Sequence, residues 1–205
     1  MLIDIVILPS AKLRQKIGRK MRKETASYSA IFVVDNKQFI PHLSLWHLRI
    51  SKNRIDDLTA ELKKTVVGQK PFKICSAGFM ASKKENGIVS FSVKNDKSLE
   101  LLQKKVFRRV YPFKIGMMPQ FEVFGLWKGK TLAEGKKYGR PLAFNPHFTM
   151  GFLKKPEDAL KIEKTMEKER ISFIAKEIYV CEVNRWWQAT KILEKINFPK
   201  TDKRL

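Results

Sequence analysis

The first nine residues, "MLIDIVILP", are apolar except for Asp4, and the pattern changes character at Pro9-Ser10. Up to that pair the run reads as a buried strand. After it, Leu13, Ile17 and Met21 recur at a spacing of four, with Lys12, Arg14, Lys16, Arg19, Lys20, Arg22 and Lys23 between them. That is an amphipathic helix with Ser10 as its N-cap, its apolar stripe packed on a sheet and its basic face in solvent. A polar loop "ETASYSA" (24–30) leads to a short strand at 31–35 and a longer one at 41–50. Next come a helix at 54–66, then strands at 71–81 and 87–94 that form a hairpin around "SKKEN", and a helix over roughly 96–110. Beyond residue 143 the pattern predicts a helix at 156–169 and strands at 171–183 and 189–198. Helices interleaved with hairpin-linked strands predict an α+β fold.

A short repeat organises this series. "FIPHLSL" (39–45) returns 105 positions later as "FNPHFTM" (144–150), with Phe, Pro, His and Ser/Thr in register. The chain has three histidines, and the repeats hold two of them, His42 and His147. Serine and threonine make up 19 of 205 residues, so two of three histidines carrying one at +2 has chance odds of roughly 0.025 on composition alone. One explanation must therefore serve both copies. A strand, a helix and two further strands follow each copy, which predicts a single domain, 1–205, of two pseudo-symmetric lobes with motif-bearing halves at about 36–95 and 141–199. Between them lies 112–143, a basic and aromatic stretch holding five of the ten glycines. A connection of that length inside a compact domain is expected to serve function.

Residues i and i+2 of a strand face the same way. His42 and Ser44 should thus share a face, as should His147 and Thr149, while Leu43, Leu45, Phe148 and Met150 point into the core. His47, five residues after His42, is expected on the opposite face in a structural role. Two imidazoles of opposite protonation state can take a proton from an attacking oxygen and give one to a leaving oxygen. Two hydroxyls can hold the non-bridging oxygens of one phosphate. The set suits phosphodiester cleavage. No HxH, HExxH or carboxylate cluster accompanies the histidines, so no metal or cofactor is expected, and no GxSxG elbow surrounds Ser44.

The formal charge of +22 and a pI near 10.1 point to a polyanionic partner such as nucleic acid or a nucleotide. Cys75 and Cys181 are isolated, which suggests neither a disulfide nor zinc and predicts a reduced cytoplasmic setting. The apolar N-terminal run is too short to span a bilayer and lacks the basic leader of a secretory signal, so no membrane partner is expected. A monomer is expected.

The paired motifs resemble the H-x-S/T-h signature, h being hydrophobic, of the two-histidine (2H) phosphoesterase superfamily. "ILPS" ahead of a helix, "YG" at 138–139 before the second motif, and the aromatic-ended last strand are similar to its 2′-5′ RNA ligase-like branch. The resemblance spans nearly the whole chain. It implies two antiparallel sheets lining a central cleft with helices outside, and hydrolysis of 2′,3′-cyclic phosphates or cleavage or joining of 2′-5′ linkages in RNA or oligonucleotides. By position it implies His42 and His147 as the acid–base pair and Ser44 and Thr149 as phosphate binders. Ser44 in place of the commoner threonine and Met150 in place of leucine depart mildly from the pattern. Further substrate contacts are expected from Trp46, which could stack a base, and from Tyr138, Arg140 and Tyr28, with Gly151 leaving room for ligand. Two other functions fit the same residues: a hydrolase of cyclic or 2′-5′-linked oligonucleotide second messengers, as in phage or viral counter-defence, and a non-catalytic RNA-binding protein.

Overall fold

Ser10 accepts a hydrogen bond from the Leu13 amide at 3.4 Å and so starts the first helix where the apolar strand ends. The computed structural model describes residues 1–82, 87–116 and 144–199. In chain order its elements are β1 (Leu2–Ile7), α1 (Ala11–Thr25), β2 (Ala30–Val33), β3 (Leu43–Arg49), α2 (Ile55–Thr65), β4 (Phe72–Ala81), β5 (Gly87–Val93) and α3 (Lys97–Val110). After the second motif come β6 (His147–Leu153), α4 (Pro156–Met166), β7 (Ser172–Ala175), β8 (Glu177–Val183) and β9 (Ala189–Asn197). Asp96 caps α3 by accepting from the Ser98 and Leu99 amides at 2.9 and 3.1 Å. Pro156 opens α4, where its missing N–H costs nothing.

The strands form two antiparallel sheets, ordered β3-β1-β8-β9 and β2-β6-β5-β4-β7. Each draws on both ends of the chain: β3 shares its sheet with the late strands β8 and β9, and β6 shares its own with the early hairpin β4–β5. Helices α2 and α3 pack on the first sheet, and α4 and α1 on the second. One cluster of buried side chains runs through the fold, including Ile3, Ile5, Leu43 and Leu48 from the first sheet and Val89, Phe91, Phe148 and Met150 from the second. Among the described residues no helix is long and apolar enough to cross a membrane.

One element departs from the sequence reading. The single strand expected over 171–183 is two strands that break at Lys176 and join different sheets, β7 pairing with β4 and β8 with β1 and β9. Hydrophobic alternation reports which residues are buried, not which strand they pair with, so the crossing left no mark on the pattern.

Helix α1 also braces the approach to the first motif. Arg22 Nη1 donates to the Asp35 carbonyl at 2.7 Å, and Asp35 Oδ1 accepts from the Lys37 and Gln38 amides at 2.9 and 3.0 Å. The Asp35 carbonyl lies against Gly18, where a β-carbon would stand 2.2 Å from its oxygen. Gly to Ala inside a helix normally stabilises by about 0.5–1 kcal/mol. Gly18→Ala should instead lower the Tm, because the helix must move off the turn. Thermal denaturation showing a higher Tm would contradict this packing.

Candidate functional site

Each motif begins by fixing its histidine. The turn before β3 is tied down by the Ile40 amide donating to the Ala189 carbonyl at 2.8 Å and by Phe39, buried edge-on to Phe32. His42 Nδ1 then lies 2.7 Å from the Ile40 carbonyl. In the second motif His147 Nδ1 lies 2.8 Å from the Asn145 carbonyl. Both bonds span two residues and enclose a proline, Pro41 or Pro146. Proline fixes its own φ and holds the preceding residue extended, which sets the carbonyl of that residue towards the imidazole. With Nδ1–H donated to a carbonyl, a neutral ring leaves Nε2 with its lone pair for chemistry. The proline at −1 thus has the same physical reason in both copies.

On β6, His147, Phe148 and Thr149 pair with Ser92, Phe91 and Ser90 of β5. Phe148 and Met150 are fully buried, so His147 and Thr149 take the other face. Strands β3 and β6 belong to different sheets yet approach each other, and a charge on His147 is near enough to disfavour one on His42. The two motifs therefore meet at one place. His42 is 4% exposed, whereas His147 is open to solvent.

The first motif strand is not regular, and this corrects the reading of His47. Ile5 of β1 pairs with Trp46, but Val6 pairs with Ser44, so Leu45 is an extra residue in β3. Such a bulge reverses the facing of everything beyond it. His47 consequently pairs with Asp4 and returns to the face of Ser44 instead of turning away. Asp4 is fully buried, and its Oδ2 gathers the neighbourhood. The Ser44 hydroxyl donates to it at 2.6 Å, His47 Nε2 lies 2.9 Å away, and His42 Nε2 lies 3.7 Å away. His47 Nε2 is also 3.2 Å from Ser44 Oγ.

The same bulge moves Trp46. It was expected beside His42 and Ser44, but it turns to the helix side and meets Phe107 of α3 edge-on, with ring centroids 4.4 Å apart. Tyr28 does not join the site either: its ring lies under Lys161 of α4, 5.8 Å from the ammonium, on the helix-covered side of the second sheet. Gly151 is buried between strands, where a β-carbon would touch the Phe32 carbonyl at 3.4 Å and Val89 at 3.5 Å, so the space beside it is taken by protein. Tyr138 and Arg140 lie outside the described residues. Two neighbours escaped the sequence reading. Asp4 appeared there only as a break in an apolar run, although a lone carboxylate amid aliphatic strand residues is itself a signal. Trp187 sits in the β8–β9 turn at φ +65° and packs edge-on against His47, with centroids 4.3 Å apart. Asn184 holds that turn through its Oδ1, which accepts from the Trp186 and Gln188 amides.

Burial pushes the His42 imidazole below the usual histidine range; Asp4 and the Ile40 carbonyl oppose that fall, and His47 and His147 add to it. Burial, and then the charge of Asp4, push the Cys181 thiol far up. Among the described residues no group of three or more His, Cys, Asp or Glu is arranged to hold a metal ion.

The family model of the 2′-5′ RNA ligase superfamily matches residues 34–186. No curated protein matches the sequence. Among solved structures, the chain resembles TT0787 of Thermus thermophilus at 14% identity, with a TM-score of 0.61 over 97% of this chain and 98% of that one. It also resembles LigT of E. coli in apo form, at 15% identity and a TM-score of 0.56 over 97% of both chains. LigT complexed with 3′-AMP gives 12% identity and a TM-score of 0.57 over 97% and 98%. At these identities the likeness is one of fold.

The depressed His42 has a consequence for stability. Its folded value lies below the unfolded one, near 6.5, so below that pH the unfolded chain binds a proton that the folded chain refuses. Stability should therefore fall as pH drops through about 6.5 and lose nothing to His42 above it. Comparing Tm from pH 7.5 down to 5.5, His42→Gln should show a shallower loss than the wild type. An equal slope would contradict the burial of a neutral His42.

Proposed function

The chain belongs to the 2′-5′ RNA ligase superfamily, and from that premise we propose that it is a phosphodiesterase acting on RNA or nucleotides with a 2′,3′-cyclic phosphate or a 2′-5′ linkage. One observation carries the reading: two histidines, one immediately before β3 and one opening β6 on the other sheet, each have Nδ1 tied to a carbonyl and a hydroxyl residue at +2. The net charge of +22 supports a polyanionic substrate.

His42, which burial keeps neutral, takes the proton of the attacking water at Nε2 as the water oxygen bonds to phosphorus. The bond from phosphorus to the leaving ribose oxygen breaks, and that oxygen takes a proton from a protonated His147. The pair ends with its protonation states exchanged, and solvent resets it. Thr149 binds a non-bridging oxygen. Ser44 binds another by turning its hydroxyl from Asp4 to the phosphate. This chemistry asks for no metal, so chelation should leave the rate unchanged.

A panel of 2′,3′-cyclic nucleotides, 2′-5′ and 3′-5′ oligomers and cyclic dinucleotides, with products mapped by mass spectrometry, tests the substrate class. Cleavage of the cyclic-phosphate or 2′-5′ members is expected, and turnover of cyclic dinucleotides alone would move the protein to second-messenger hydrolysis. His42→Ala and His147→Ala should each lower kcat at least about a hundredfold. The kcat/KM profile should be bell-shaped, with limbs that belong to the coupled pair. Either variant retaining most of the wild-type kcat would overturn the paired mechanism.

A further inference from the structure

Asp4 occupies a place where its neighbours along β1, Ile3, Ile5, Val6 and Ile7, are all fully buried aliphatics. A carboxylate there is costly unless it is compensated. The compensation comes from one strand only. Ser44, His47 and His42 all belong to the first motif and its strand, and all converge on the single atom Oδ2. Its other oxygen, Oδ1, meets no donor among the described residues. The second motif has no such partner: among the described residues no carboxylate pairs with His147. Two motifs alike in sequence are therefore set in unlike surroundings.

We propose that Asp4 is the positioning residue of this site, a single buried oxygen that orients the Ser44 hydroxyl, holds the His47 ring and keeps a negative charge beside the Nε2 edge of His42. His47 serves as the second donor that keeps Asp4 satisfied when Ser44 turns to a phosphate, and Trp187 holds the His47 ring in place from the β8–β9 turn. The proposal rests on the acid–base reading of His42 for its catalytic consequence, but its physical content can be measured without a substrate. Around Asp4 the titratable and charged groups are His42 and His47 on the first motif and β3, Cys181 opposite it on β8, and Arg14 of α1, whose charge reaches Cys181. His147 on β6 acts through His42.

With three histidines in the chain, the ring Cε1–H signals can be titrated individually by NMR in the substrate-free protein. Asp4→Asn removes the negative charge and should lower the His42 midpoint by at least about half a unit. His47→Ala removes a donor to Asp4 and a ring on which any charge disfavours one on His42, leaves Asp4 less compensated, and should raise it. His147 should move by less than about 0.2 unit in both, and on any substrate the wild type cleaves, the acid limb of the kcat/KM profile, a property of the coupled pair, should move in the same direction as each His42 shift. If Asp4→Asn does not fold, His47→Ala, made at a partly exposed ring, decides the point alone. A His42 midpoint unmoved in the folded variants, a shift shared equally by His147, or a kinetic limb that stays put while the NMR midpoint moves would overturn the proposal. If no substrate in the panel is cleaved, the functional reading fails while the titrations still decide the role of Asp4. If His42→Ala abolishes cleavage but Asp4→Asn changes nothing, the functional reading stands and this proposal falls.

Discussion

An imidazole has two nitrogens, and it can offer one of them to chemistry reliably only when the other is held. In this fold both motif histidines are held in the same way, Nδ1 against the carbonyl two residues back with a proline between. Everything else about the site follows from where those two short units are carried. β3 stands at the edge of a four-stranded sheet and β6 inside a five-stranded one, and each sheet mixes early and late strands. The chain must therefore be folded throughout before the two rings can meet. That interleaving, with the apolar faces of the motif strands turned to buried side chains such as Leu43, Phe148 and Met150, makes the cleft a product of the whole core rather than of a local loop.

Much of this was legible in the sequence because it depended on period and type. The spacing of Leu13, Ile17 and Met21 located α1 with Ser10 as its cap, and the paired heptapeptides singled out the two histidines that are held alike through Nδ1. The parts that were not legible share a cause. A bulge at Leu45 adds one residue to β3 without altering its composition, yet it carries His47 into the site and Trp46 out of it. The break at Lys176 changes the sheet to which a strand belongs without interrupting its pattern. Asp4 looks like a flaw in an apolar strand until the partners across the sheet are known. In each case the missing quantity was pairing register, which is a property of two strands and leaves little trace in either alone.

The asymmetry between the motifs bears on how duplicated sites divide labour. His42 is buried beside a carboxylate, and His147 is exposed without one among the described residues. Burial and charge, rather than any difference in motif, set the two rings apart.

In the proposed mechanism one phosphate sits between the two Nε2 atoms. The most direct measurement is a pair of crystal structures of the protein with a bound nucleoside 2′-monophosphate and 3′-monophosphate, the two products that opening a 2′,3′-cyclic phosphate can leave. The phosphate should lie within hydrogen-bond reach of His42 Nε2 and His147 Nε2 together, about 3 Å from each, with Ser44 turned from Asp4 towards it. A phosphate bound to one histidine alone, with the other ring out of reach and Ser44 still on Asp4, would contradict that mechanism.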